Sequence, residues 1–393
     1  MSNGIRWAVV VVLIGHGLIH MLGAVKGFSW ADVRQLTQPI GAGVGVVWLL
    51  AAILVLACAG LIAAGAPTWW WAVALVAAVV SQVAIVTSWN DAKVGTGINV
   101  LLVLAAAYWF ASAGPTSFDA QWRDQAERAL AEADANPSLI SEADLADLPQ
   151  PLAAYVRHSE AVGQPRVTSF LANFHGRIRS GPHQAWMPFT GRQLNTYGPR
   201  PQRVFIMNAT RAGLPVTVLH QFADATATMR AKVLSLFTVV DAAGPEMNRG
   251  ETVTVFNDLV VLAPGAIISA PVVWTAIDDQ HVRGVFSDGP ETVAAVLTFD
   301  AQHDLVDFSS ADRSRASSDG KSFTSQGWST PLSEHRNADG RRVLAFGEGR
   351  WHAPPPEGPF TYVEFDIDGI TYNVSSVDGT TMLSVDTLVD VSP

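Results

Sequence analysis

Residues 5–25 read IRWAVVVVLIGHGLIHMLGAV, an apolar stretch of 21 residues with one charge near its start. An α-helix needs about 20 such residues to cross the hydrocarbon core of a bilayer. Three further apolar runs follow, at residues 40–64, 68–88 and 98–112. The pattern predicts four transmembrane helices. We expect the first helix to be retained, because its apolar stretch is too long for a signal peptide and no small-residue cleavage site follows it.

The charges are distributed unevenly along the chain. Residues 1–114 carry four basic and two acidic side chains, whereas residues 115–393 carry 21 basic and 33 acidic ones. This predicts an apolar membrane segment joined to an acidic, water-soluble one. Nucleic acid is not an expected partner, because affinity for it depends on Lys and Arg that neutralise phosphates.

Cysteine chemistry is limited by a single residue, Cys58, within a run of small apolar residues. One cysteine cannot form a disulfide framework, a cysteine zinc site or a cysteine-ligated iron–sulfur cluster. The interpretation is a buried small apolar side chain, and the sequence indicates no cofactor.

Polar residues inside the predicted spans form a candidate membrane cluster. His16 and His20 are four residues apart and share one helix face. Gln82, Asp91 and Asn99 complete the predicted cluster. One interpretation is a metal, haem or quinone site, since ionisable residues at membrane depth are costly. The other, which we favour, is a set of neutral side chains that hold the bundle together by hydrogen bonds.

A helical connector is predicted for residues 115–164, followed by a β-rich domain. The connector contains an amphipathic helix at 118–135, a capping-box start at Ser141–Asp144 and a helix at 152–161. From Arg166 the apolar residues alternate instead, which is typical of strands. The predicted strands cover 167–179, 185–197, 203–210, 215–222, 226–234, 272–277, 281–288, 292–300, 305–311, 321–328, 341–351 and 361–367.

These strands predict one antiparallel sheet, strongly curved or closed into a barrel. Turn signals such as Asp288-Gly289 and Asp368-Gly369 separate them. The segment 247–266 breaks the alternation, because Val253, Phe256 and Leu259 have helical spacing. The expected fold is therefore a four-helix transmembrane bundle (1–114) followed by an α+β domain. That domain contains a strongly curved antiparallel β half-barrel (165–373), and the inserted helix plugs its mouth. A C-terminal tail (374–393) follows the half-barrel.

Several stretches resemble a bacterial family of uncharacterised four-span membrane proteins. They are GHGLIH (15–20), WNDAKVG (89–95), LPQPL (148–152), GQPR (163–166), WMPFT (186–190), TMRAKVLS (228–235), GPEMNRGET (244–252) and WSTPL (328–332). The resemblance implies a C-terminal β-domain similar to the half-barrel of periplasmic lipoprotein carriers and other lipocalin-like folds. It assigns no catalytic residue, and a shared fold does not establish a function.

Candidate binding residues in the soluble half are few. No nucleophile elbow, phosphate loop or metal motif occurs, and the histidines lack ligand spacing. Glu246 and Glu251 belong to a short charged loop before the inserted helix. They form a polar gate or a catalytic carboxylate at the cavity mouth, or they simply interact favourably with the helix dipole, which is the interpretation we favour. Four aromatic residues either line a cavity or fill the core: Trp186, Phe189, Trp328 and Trp351.

These observations predict a membrane-anchored module that binds an apolar or lipid-like ligand near the bilayer. Two alternatives stay open: an integral-membrane redox, metal or haem protein that uses His16 and His20, and a structural or assembly protein with a filled barrel. The expected location is the bacterial cytoplasmic membrane, with several passes and the β-domain on the extracytoplasmic side.

Overall fold

The computed structural model describes residues 3–317, 319–338 and 340–378. The predicted C-terminal tail lies outside the described residues beyond Asp378. The chain forms two compact units, of which the first spans Met1–Ala120 and the second begins at Gln121.

The first unit contains four helices long and apolar enough to cross a membrane. The helices of this unit are α1 (Asn3–Gly27), α2 (Ala42–Ala63), α3 (Trp70–Thr87), the short α4 (Trp89–Ala92) and α5 (Gly95–Ala113). The predicted fourth run was short at 98–112, but α5 begins three residues earlier, at Gly95. Four membrane helices are therefore confirmed by length and composition.

Helices α1 and α2 pack closely because small residues face each other. A Cβ atom on Gly27 would lie 2.5 Å from the Cα atom of Gly45, and one on Gly23 would overlap the Trp48 ring. Trp48 is almost completely buried. Small residues allow such close approach of helices inside membranes, where the hydrophobic effect does not drive association.

The second unit starts with helices and continues into a large sheet. Helix α6 (Phe118–Glu132) crosses the boundary between the units, and α7 (Gln150–His158) follows a 3₁₀ turn at Glu142–Leu145. The predicted capping signal is present there, because the Ser141 amide donates a hydrogen bond to Asp144 Oδ2 at 2.8 Å.

Fifteen strands follow, with one long helix between the sixth and the seventh. They are β1 (Ser169–Ile178), β2 (Met187–Thr196), β3 (Gln202–Arg211), β4 (Leu214–Ala223), β5 (Thr226–Val233), β6 (Phe237–Ala243), then helix α8 (Pro245–Leu262), and β7 (Val272–Ala276), β8 (His281–Asp288), β9 (Glu291–Phe299), β10 (Leu305–Ser310), β11 (Ser314–Ala316), β12 (Phe323–Ser325), β13 (Gly327–Ala338), β14 (Arg341–His352) and β15 (Pro359–Tyr372).

Thirteen of the described strands form one antiparallel sheet in the order β6-β5-β4-β3-β2-β1-β15-β14-β13-β10-β9-β8-β7. Strands β11 and β12 form a separate ribbon. Because β6 and β7 remain edge strands, the sheet is open, and of the two predicted alternatives the closed barrel is wrong. Strands β1 and β15 pair at its centre and join two meanders.

The open sheet wraps around α8. This helix contacts β5 and β6 near one edge and β9 and β10 near the other. The β8–β9 turn also approaches the β4–β5 turn, since a Cβ atom on Gly289 would lie 3.1 Å from Ala225 Cβ. Consequently α8 is buried on all sides, and residues 250–262 are all buried. The helix predicted at 247–266 is confirmed, with its last part a 3₁₀ turn at Pro264–Ser269. It begins at Pro245, so Glu246 and Glu251, which were expected to precede it, lie within the helix.

Three sequence interpretations of the sheet need correction. Strand β6 was not predicted, because most of its side chains are exposed and its alternation is weak. Strand β13 continues for ten residues beyond the predicted end at Trp328. The sequence pattern did not indicate this, because Pro331 and the positive φ of 56° at Glu334 interrupt the regular strand. Asp368-Gly369 is not a turn, because Asp368 is a bulge residue within β15.

Candidate functional site

The candidate site is a cavity system on the concave face of the sheet. Its inner part has a volume of about 240 Å³. Apolar side chains dominate its wall, among them Phe174, Phe189, Phe205, Met207, Val218 and Leu262. Alternate residues of a strand point to the same face, so Phe205 and Met207 of β3 both face this cavity. The sheet thus presents a row of large apolar side chains that α8 does not cover completely.

An outer cavity of about 990 Å³ adjoins the inner one. Both are lined by Ile178, His220, Met229, Arg313 and Tyr362, so these residues surround the passage between them. The outer wall is more polar and includes Arg179, Arg315 and Glu246. A ligand would therefore meet a charged entrance first and an apolar interior behind it.

A buried charge network lies between the sheet and α8. Arg203 of β3 donates to Glu251 Oε1 at 2.7 Å and to Asp258 Oδ2 at 2.8 Å. Its third contact is Gln193 Oε1 at 3.0 Å. The Arg203 side chain is only 8% exposed. A buried guanidinium group is stable only when it is paired in this way, so Arg203 ties two turns of α8 to the sheet.

The two carboxylates of the network differ in their pKa. Burial raises the pKa of Glu251, but the charges of His220, whose Nε2 lies 3.0 Å away, and of Arg203 hold it below its ordinary value. Burial also raises the pKa of Asp258, and here Arg203 and the amide of Asn195 do not offset it. Only Glu251 therefore has its charged form favoured.

The structure brings most of the predicted binding residues to these cavities. Glu246, Glu251 and Trp351 line the outer cavity, and Phe189 and Trp328 line the inner one. Trp186 is not among the described residues of either wall. Its ring lies instead against the guanidinium groups of Arg177 and Arg179, at 4.6 and 4.4 Å.

Sequence analysis missed several polar residues of the cavity: Gln193, Arg203, His220, Asp258 and Arg313. A signal was available for one of them. Arg203, Phe205 and Met207 are alternate residues of β3, so their side chains point to the same face of the sheet. A charged residue on an otherwise apolar face is a signal that the sequence already contained. The partners of Arg203 could not be identified, because Glu251 and Asp258 lie some 50 residues away in sequence on α8.

The predicted membrane cluster is largely present in the first unit, and Ser81 is its centre. Ser81 Oγ lies 2.7 Å from His20 Nε2 and 3.2 Å from His16 Nε2, and it donates to Asn99 Oδ1 at 2.8 Å. Asn99 in turn donates to Gln82 Oε1 at 2.9 Å. When Ser81 donates to Asn99, its oxygen is placed to accept from Nε2 of both imidazoles, and His16 Nε2 also lies 3.3 Å from Asn99 Oδ1.

Asp91 does not belong to this cluster, which corrects the sequence grouping. Its carboxylate accepts hydrogen bonds from the backbone amides of Thr37 and Gln38, at 2.6 and 3.1 Å. These bonds, with the Thr37 hydroxyl first, lower the pKa of Asp91. Among the described residues, no three His, Cys, Asp or Glu side chains are placed to hold a metal ion.

Comparisons with known proteins concern mainly the second unit. No curated protein shows significant similarity to the chain. Two solved structures are similar in part. A DUF1329 family protein from Desulfovibrio piger is 13% identical, with a TM-score of 0.33, and the match covers 58% of this chain and 94% of that protein. A putative outer membrane lipoprotein-sorting protein domain from Vibrio parahaemolyticus is 10% identical, with a TM-score of 0.32, and the match covers 58% of this chain and 92% of that domain.

A family model matches residues 138–365, which is more than half of the chain and includes α7, α8 and most of the sheet. The cavity residues named above lie within this range. The chain therefore belongs to the family of unknown function DUF6544.

Proposed function

We propose that this protein is a membrane-anchored binding module, and that its second unit holds an apolar ligand in the cavity enclosed by the sheet and α8. The observation that carries the proposal is the apolar inner cavity, which adjoins a larger and more polar one. Ligand pockets in proteins have this composition, with apolar walls and a few placed polar groups.

The cavity supports this function better than a filled sheet does. Protein interiors are packed as densely as organic crystals and leave few voids larger than a water molecule. A structural module would have closed the space beside Phe174, Phe205 and Met207 with larger side chains. The unfilled volume of about 240 Å³ therefore favours a bound molecule.

The membrane cluster supports a structural role for the first unit. His16 and His20 share one hydroxyl, that of Ser81, and the bonds continue through Asn99 to Gln82. Such a chain joins α1, α3 and α5. This arrangement agrees with bundle stabilisation rather than with the redox alternative.

We further propose that the bundle tethers the second unit to the extracytoplasmic side of a bacterial cytoplasmic membrane. Ala135 is exposed, whereas Cys58 is buried in α2. In intact cells, a membrane-impermeant maleimide should label the Ala135→Cys variant and leave the unsubstituted protein unlabelled. Labelling of the variant only after the cells are permeabilised would contradict the orientation.

Binding is tested by photo-crosslinking on the full chain in lipid nanodiscs. The probe is a hexadecanol that carries a diazirine, and peptide mass spectrometry separates adducts in the second unit from those in the membrane helices. We expect adducts in strands β1, β3 and β15. The variant Met229→Trp, which places a large side chain in the passage, should lose them.

The matched control is Leu236→Trp, which adds the same side chain at an exposed position. It should retain the adducts. If adducts occur only in the membrane helices, or if both variants keep them equally, the second unit does not bind ligands in this cavity.

A further inference from the structure

We propose that the ligand is an anionic amphiphile, whose carboxylate or phosphate group is bound by Arg313 while its chain enters the inner cavity. This inference rests on the proposed function and makes it more specific. It assigns to Arg313 the recognition of the ligand's charged end.

Arg313 stands at the passage between the two cavities, since it lines both. Its guanidinium carbon lies 4.2 Å from the centre of the Trp328 ring and 5.6 Å from that of Trp351. The two rings hold the side chain in a half-buried position. A guanidinium group on an aromatic face keeps its hydrogen-bond donors free in its own plane.

The N–H groups of the Arg313 side chain donate no hydrogen bond within the part of the chain that the structure describes. The other arginines at the entrance differ in this respect. Arg315 is paired with Glu357 at 2.9 Å, and Arg179 donates to the carbonyl oxygens of Thr361 and Pro182 at 2.8 and 2.7 Å. Arg313 is thus a guanidinium group, which carries five N–H donors, placed without an acceptor beside an apolar cavity.

The nearby carboxylates form their hydrogen bonds elsewhere, although the charge of Arg313 contributes to the lowered pKa of Glu251. Glu251 accepts from Arg203 and lies 3.0 Å from His220 Nε2. Glu348, in the inner wall, contacts Arg350 at 3.1 Å and accepts from Thr361 at 2.6 Å.

Two further carboxylates complete the set. Asp258 accepts from Arg203, and Glu246 is exposed in the first turn of α8. Of the five residues that line both cavities, Arg313 is permanently charged and none is a carboxylate, so the passage itself favours an anion.

An amphiphile fits this arrangement better than a small anion. The Arg313 guanidinium group lines both the outer cavity and the inner one, whose wall includes the apolar side chains of Phe174, Phe205 and Val218. A free phosphate would use the charge and leave the apolar surface exposed to water. A fatty acid or phospholipid would satisfy both, because apolar burial and a charge-assisted hydrogen bond would act on one molecule.

The test compares two diazirine probes with the same chain, palmitic acid and hexadecanol, on the full chain in nanodiscs at pH 8. We expect the acid to label the second unit about tenfold more efficiently than the alcohol. Arg313→Met should abolish this preference, and hydrogen exchange of the β2 and β3 amides equal to that of the unsubstituted protein would show that the variant still folds. Arg211→Met is the matched control, because Arg211 is exposed at the end of β3, and it should keep the preference.

Three outcomes would overturn the inference. If the acid and the alcohol label the cavity equally, the proposed function stands but the anionic selectivity fails. If inorganic phosphate at millimolar concentration displaces the acid, the site binds a free anion rather than an amphiphile. If neither probe labels the cavity, the inference fails together with the proposed function.

Discussion

Replacing Arg203 by Met should destabilise the second unit strongly, because it leaves two buried carboxylates without their shared partner. Arg203 lies 2.7 Å from Glu251 and 2.8 Å from Asp258. At an effective dielectric constant of about 20, each such pair is attracted by roughly 6 kcal/mol, most of which offsets the desolvation of the charges. The measured loss on removing one partner of a buried pair is about 3–5 kcal/mol.

The assay is hydrogen exchange of the β2 and β3 amides in the full chain. A loss of this size should accelerate their exchange by a factor of about 10² to 5 × 10³, provided that they exchange by opening of the unit. The matched control is Arg128→Met, which removes the exposed pair of Arg128 with Asp124 on α6. Exposed pairs contribute about 0–1 kcal/mol, so exchange should change by no more than about fivefold.

The Arg203→Met effect should also depend on pH. Without the guanidinium group, the folded-state pKa of Glu251 and of Asp258 lies higher than in the intact protein, and ionisation of either carboxyl then opposes folding. The added instability is present at pH 8 and shrinks as the carboxyls take up protons at lower pH. If Arg203→Met behaves like Arg128→Met, or if its effect grows on acidification, the assignment of this network as the tie between α8 and the sheet is wrong.

Three other perturbations have defined outcomes. Gly27→Val should separate α1 from α2 and lower the thermal midpoint of the bundle in detergent, whereas Gly43→Val, at a site with open space, should change it little. Ser81→Ala removes the centre of the membrane cluster and should cost about 1 kcal/mol; a midpoint equal to that of the unsubstituted protein would contradict this. Burial and the charge of Asp224 raise the pKa of Asp288, so its ionised form opposes folding. Asp288→Asn should therefore stabilise the second unit by about 0.5 kcal/mol at pH 7, and the gain should vanish when pH falls below the ordinary carboxyl pKa; a gain that persists at pH 3 would rule out a charge effect.

The sequence predicted those parts of the fold that depend on local periodicity. The membrane helices follow from the length of their apolar runs, and α8 follows from helical spacing inside a region of alternation. Strand β6 was not predicted, because an exposed edge strand need not alternate apolar and polar residues. Most of β13 was not predicted, because Pro331 interrupts its alternating pattern. Whether the sheet closes is not encoded locally, since it depends on whether β6 meets β7.

The candidate site was predictable only in part, for a related reason. Trp328 and Trp351 were identified as cavity candidates because large aromatic residues carry a strong signal by themselves. Arg313 lies in a short connection between strands, and no spacing rule distinguishes it from other arginines. Its importance depends on what surrounds it, two rings and no acceptor, which only the folded chain shows.

The central pairing of β1 with β15 has a consequence for how the second unit is made. Every other pair in the large sheet joins strands that follow one another in sequence, apart from β10 with β13, which the small ribbon separates. The β1–β15 pair instead joins Phe170 to Tyr372, so one loop closure of about 200 residues determines when the unit is complete. On the ribosome, β1–β6 can form early as a chain of local hairpins, but one side of β1 stays open until β15 has been synthesised. The nascent sheet therefore keeps one exposed edge on the strand that later lies at its centre.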